Sequence, residues 1–213
     1  MNIVLGHIVI YDALVSFTDV LLAVESLLFA FLISRKKYAE SRGMVAILFT
    51  LLAVASLSGA AFHYFFPSKA ESMGGMITWL VVTAATGLSA IVLWLLAAES
   101  SAPKARRFVL LASPFFFGGF MFWIAFVDYH YRVVVAFYAP ALLAFGAAAF
   151  YKLVQGRRGW GGIFLGVLFS ALAALAQVSG IMIAGYADHN VIYHVLQAFA
   201  LFLLYNGYAR SKA

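Results

Sequence analysis

The chain of 213 residues contains no cysteine. That excludes disulfides and thiolate metal ligands and leaves the redox compartment unmarked. Charge is the next scarcity. Asp, Glu, Lys and Arg make up 10% of the residues, against about 25% in soluble domains. With 65% hydrophobic residues and a mean hydropathy of +1.00, the apolar surface exceeds what one soluble core hides, so an integral membrane protein is expected. Long polar stretches, repeats and low-complexity segments are absent too, which leaves room for a single domain, 1–213, and no soluble second one. The net charge of +6 does not point to nucleic acid, because the basic residues sit in short loops between apolar runs.

What is present is a series of apolar segments. A transmembrane helix needs about 20 such residues. Seven segments qualify, at about 11–34, 44–66, 76–98, 108–127, 133–153, 162–185 and 190–208. The expected fold is an all-α bundle of seven transmembrane helices, with short loops that place successive spans side by side. The first segment reads as a span and not as a cleaved signal, since Asp12, Asp19 and Glu25 interrupt its apolar run. Pro114 and Pro140 fall inside spans and are expected to bend them.

Lysine and arginine set the orientation. Arg35, Lys36, Lys37 and Arg42 follow span one, and Lys104, Arg106 and Arg107 follow span three. Lys152, Arg157 and Arg158 follow span five, and Arg210 and Lys212 follow span seven. The other face has only Lys69 and Arg132. The N-terminus is therefore expected outside and the C-terminus in the cytoplasm, with the plasma (inner) membrane as the location. All five histidines, His7, His63, His130, His189 and His194, then fall in the extracytoplasmic half, as do Asp12, Asp19, Asp128 and Asp188.

Polar groups inside a bilayer are costly, so those that share a helix face are candidates for a site. At about 100° per residue, Asn190, His194, Gln197 and Tyr208 lie within roughly 40° of one line, and His189 lies away from it. In span one Asp12, Ser16, Asp19 and Ser26 share a face. In span two Ser56, Gly59, Ala60 and His63 share one, and its small residues permit close helix approach. Ser170 and Gln177 share one in span six. These faces predict an outward-facing pocket lined by His63, His194, Asn190 and Asp19, with Asp12 or Asp128 nearby. Asn190 also reads as a cap for span seven. His7 and His130 read as interfacial, and Trp79, Trp123 and Trp160 as interface anchors.

The run Leu57-Ser58-Gly59-Ala60-Ala61-Phe62-His63 resembles the small-residue run ending in Phe-His on the second span of a known superfamily. Asn190-Val191-Ile192-Tyr193-His194 is similar to its seventh-span motif of two histidines four apart. The superfamily comprises alkaline ceramidases, haemolysin III-like proteins and progestin/adiponectin receptors. The resemblance implies zinc on three histidines, a supporting serine and aspartate, and a zinc-bound water that attacks a lipid amide. The chain departs from that pattern at three places. Asn190 stands where a histidine is expected, Gly59 stands where a serine is expected, and span three has no aspartate.

Two readings follow. In the first, the protein is a zinc-dependent hydrolase of a lipid amide or ester. His63 and His194 hold the metal, His189 or Asp19 completes the ligand set, and Asn190 or a nearby serine steadies the oxyanion. In the second, it is a non-catalytic binder of a membrane lipid or small ligand, or an accessory subunit of a homo-oligomer or larger membrane complex. A retinal protein is excluded by the lack of lysine in span seven. Asp19 and Glu25 make too short a series for an ion pathway.

Overall fold

The computed structural model describes residues 3–5, 8–10, 12–37, 39–66, 71–99, 103–183 and 188–211. His7, Lys69 and Lys212, and the last two residues expected for span six, lie outside them. Two three-residue strands, β1 (Ile3–Leu5) and β2 (Ile8–Ile10), pair antiparallel with Ile3 opposite Ile10. The all-helical expectation did not include them, although their β-branched residues favour extended backbone. Seven helices follow: α1 (Ala13–Ser34), α2 (Arg42–Phe65), α3 (Met73–Glu99), α4 (Pro103–Phe126), α5 (Tyr131–Val154), α6 (Trp160–Ser179) and α7 (His189–Arg210). Each is long and apolar enough to cross a membrane.

The helices match the seven expected spans, and the differences at their ends have local causes. α4 begins at residue 103 and not near 108, because hydropathy marks the apolar run while Lys104, Arg106 and Arg107 are good helix formers. α6 stops at Ser179, where Gly180 takes φ +66° as a left-handed C-terminal residue.

α1, α2, α3, α5, α6 and α7 close into a ring in which α7 returns to α1. α4 stands outside this ring against α3, so the expected chain order of packing breaks there and α3 meets α5 directly. α4 reaches α5 through Phe120, which stacks on Phe137 with ring centroids 4.3 Å apart. The common core draws on Phe29, Phe49, Leu93, Phe145, Ile163 and Leu201, one from each helix of the ring. α6 and α7 approach so closely at Gly166 that a Cβ there would lie 2.9 Å from the carbonyl oxygen of Ala200.

The two ends of the bundle differ. One carries His63, His130 and His189; the other carries the basic loops. At the basic end Lys152 is only 8% exposed, pairs with Glu40, and lies 4.2 Å from the centre of the Trp160 ring. Ser41, next to Glu40 in sequence, donates to Glu99. Trp160, read from sequence as an interface anchor, is thus a buried lid over an ion pair. At the histidine end the Trp79 indole N–H donates to the Tyr129 carbonyl at 2.8 Å, joining α3 to the α4–α5 loop. That leaves Trp123 as the exposed one of the three.

Candidate functional site

The site is built where α1 and α7 close the ring. Asp19 and His194 are both buried, and Asp19 Oδ1 lies 3.1 Å from His194 Nε2. The other ring nitrogen, Nδ1, lies 2.8 Å from the Thr18 hydroxyl. Both nitrogens of His194 are therefore engaged by one helix, through two consecutive residues. The Thr18 oxygen also lies 2.8 Å from the Val15 carbonyl and 3.1 Å from that of Leu14.

A threonine hydroxyl has one proton to give. If it goes to a backbone carbonyl, Nδ1–H must donate to Thr18, and the proton between Nε2 and Asp19 is then the second one on the pair: an imidazolium facing a carboxylate, or a neutral ring facing a carboxylic acid. If it goes to Nδ1, the ring is neutral and its Nε2–H donates to the Asp19 carboxylate. The cluster thus has two hydrogen-bonded forms that differ by one proton, and either satisfies the polar atoms that would be costly in a bilayer.

Gly59 on α2 explains why Asp19 fits. A Cβ at residue 59 would sit 3.0 Å from Asp19 Oδ2 and 3.2 Å from Oδ1. The carboxylate of α1 occupies the space a side chain on α2 would need. Where the resemblance expects a serine, this chain has a glycine, and the reason is Asp19.

Nearer the histidine end, His63 Nδ1 lies 3.7 Å from Asp12 Oδ2. Asp12 precedes α1 with φ +44°, a left-handed conformation that Asp tolerates better than most residues. Between the two carboxylates on α1, the Ser16 hydroxyl is buried and makes no hydrogen bond among the described residues.

Asn190 faces the other way. Its Oδ1 accepts from Gln177 Nε2 on α6 at 2.7 Å, and its Nδ2 donates to Asp188 at 3.3 Å. Asp188, not Asn190, caps α7, accepting from the backbone N–H groups of Asn190 and Val191 at 3.0 Å each. Burial alone would raise the Asp188 carboxyl. The Val191 N–H, the Asn190 side chain and the nearby His189 outweigh burial and hold it below the usual carboxylate range. Gln197 is buried and donates to Ser170 on α6 at 3.2 Å. The polar face of α7 is therefore divided: Asn190 and Gln197 fasten α6, and His194 reaches α1.

Asp128 is committed locally. It accepts from the His130 backbone N–H at 2.9 Å, from the His130 ring at 2.5 Å and from Arg132 Nη2 at 2.9 Å. The His130 backbone bond first, then the His130 ring and Arg132, lower its pKa to about 2.

Of the residues singled out in the sequence, the structure brings Asp19 and His194 together, sets His63 beside Asp12, and ties Asn190 to Gln177 and Asp188. His189 is the first residue of α7 and half-buried. Among the described residues no three His, Asp or Glu side chains gather as a metal-binding group. A catalytic zinc site commonly draws on three protein ligands; the donors of this site stand as two carboxylate–histidine pairs, Asp19 with His194 and Asp12 with His63. Sequence reasoning missed Thr18, which lies about 100° around α1 from Asp19. Its only signal was adjacency to a deep aspartate.

A family model described as a family of unknown function, DUF6962, matches residues 14–213, and the chain belongs to that family. No curated protein and no solved structure matches the chain.

Proposed function

We propose that this DUF6962 member is a non-catalytic binding protein, with the cluster of Thr18, Asp19 and His194 at the base of a pocket for a membrane lipid or small ligand. It is an integral membrane protein. On the asymmetry of lysine and arginine, the histidine end faces the extracytoplasmic side of the plasma (inner) membrane and the C-terminus the cytoplasm. The observation that carries the reading is the full engagement of the His194 ring by Thr18 and Asp19. A histidine held at both nitrogens is fixed in place and offers no lone pair for a metal unless a bond is given up. The Asp12 carboxylate and His63 ring, half-buried nearer the histidine end, supply further polar groups beside it.

The test is to purify the protein in mild detergent after zinc-supplemented growth, then measure zinc and extractable lipid together. A retained small molecule that is lost in His194→Gln, with zinc well below one per chain, supports binding. About one zinc per chain, lost in His194→Gln, overturns it.

A second reading keeps the metal-dependent hydrolase of a lipid amide or ester, with His63, His194 and His189 as candidate zinc ligands and Asp19 and Asn190 as candidate catalytic groups. One observation favours it. The 3.1 Å between Asp19 Oδ1 and His194 Nε2 is also a separation that two ligands of one ion can adopt. The same zinc measurement decides between the two. Assembly into a homo-oligomer or a larger membrane complex belongs to the binding reading, supported by the exposed aromatic surface of α4.

A further inference from the structure

α4 packs on α5 near the histidine end and borders a cleft near the basic end. Toward the histidine end, Phe120 and Ile124 pack with Val134 of α5. Toward the basic end, α4 stands off from α3 and α5 and leaves a cleft of about 830 Å³. Ala105, Phe108 and Ala112 line it from α4, Trp94 from α3, and Ala147 and Tyr151 from α5. Such a volume lies in the range of pockets that enclose organic ligands. The walls are almost wholly apolar, so the part of the ligand held there is hydrocarbon.

Both prolines inside these helices lie at or beside the cleft. Pro114 lies next to the cleft-lining Ser113 and supplies no N–H to the Leu110 carbonyl four residues back. Ser113 Oγ donates to that carbonyl at 3.3 Å. Pro140 likewise supplies none to the carbonyl of Ala136, and both residues line the cleft from α5.

Basic residues flank the lining at the start of α4. Lys104 and Arg106 flank the lining residue Ala105 on α4, and both are exposed, as is Arg107 on the next position. They sit in the first turn of α4, whose backbone N–H groups add positive potential. Among the described residues neither Lys104 nor Arg106 forms a salt bridge. Hydrocarbon walls below two cations match an anionic amphiphile, head at the basic end and chains along α4.

We propose that this cleft is a binding site for one anionic phospholipid, with its phosphate between Lys104 and Arg106 and its acyl chains between α4 and α5. A zwitterionic lipid would present the same chains but would place a cation among cations. The site is separate from the cluster at Asp19 and does not depend on what that cluster does.

The test uses the full chain in phosphatidylcholine vesicles containing a minor fraction of photoactivatable phosphatidylglycerol or, in parallel, photoactivatable phosphatidylcholine. Labelled peptides are mapped after irradiation. Phosphatidylglycerol should label residues 105–116 and 136–151 preferentially, and phosphatidylcholine should not. Lys104→Gln with Arg106→Gln changes exposed residues and should reduce that preference about thirtyfold, while labelling elsewhere stays constant. Ala147→Trp, which fills the cleft from an exposed position, should remove both lipids from it. Equal labelling by the two lipids, labelling spread over all exposed helices, or cross-linking of a second copy through this cleft would each overturn the proposal.

Discussion

Gly59 on α2 and Asp19 on α1 are a complementary pair: the glycine leaves only enough space for the carboxylate, with a hypothetical Cβ 3.0 Å from Oδ2. Gly59→Ala should therefore displace Asp19 and destabilise the protein by about 1–3 kcal/mol, the usual cost of overpacking. Thermal unfolding in detergent measures it. Gly59→Ala combined with Asp19→Ala should recover part of the loss, because the added methyl then has room.

Asp19 and His194 should behave as a coupled unit. Removing one partner leaves the other buried and costs about 3–5 kcal/mol if the pair is charged. Asp19→Asn with His194→Gln should cost less than the sum of the single changes, and a double-mutant cycle on unfolding free energies reads the difference. Strict additivity would mean that the two side chains do not interact in the folded protein.

At the start of α7, Asp188→Ala removes two hydrogen bonds to backbone N–H groups. It should cost about 1 kcal/mol, as loss of an N-cap does. The pH dependence follows from the lowered carboxyl. The stability it contributes is present above the unfolded aspartate pKa of about 3.9 and is lost as pH falls through the lower folded value. Wild type should therefore lose more stability than Asp188→Asn on acidification below about pH 4. Asp128, lowered to about 2 by the His130 N–H and ring and by Arg132, adds a second contribution of the same sign.

Lys152 and Glu40 give the basic end its own buried pair under Trp160. Glu40→Gln should be more harmful than an exposed charge change such as Arg107→Gln, because it leaves Lys152 buried without a carboxylate. Trp160 fluorescence should shift in Glu40→Gln and stay unchanged in Arg107→Gln.

The absence of cysteine makes orientation directly measurable. A single cysteine introduced for His130 should react with an impermeant maleimide added outside intact cells. One introduced for Arg157 should react only after the membrane is opened. The reverse pattern would invert the assigned orientation.

Much of this was legible in the sequence. Apolar runs located the seven helices because hydrocarbon thickness sets their length. The 3.6-residue period placed Asp19 and His194 on inward faces, and they meet. The position of α4 was not legible, because its composition is as apolar as the others and nothing local says which neighbour a helix prefers. Thr18 was hidden because it flanks the polar face and does not lie on it. Gly59 looked like a lost serine; only the approach of Asp19 from another helix shows what it accommodates. The capping role expected of Asn190 falls to Asp188 for a local reason. The cap falls on Asp188, two residues before Asn190, which frees the Asn190 side chain to meet Gln177.

The state of the His194 ring tests the central claim most directly. ¹⁵N magnetic resonance of the reconstituted protein, with and without added zinc, resolves its two nitrogens. The account predicts both nitrogens hydrogen-bonded, no response to zinc, and a change at Nε2 in Asp19→Asn and at Nδ1 in Thr18→Val. A zinc-dependent shift of Nε2 that disappears on chelation would contradict it.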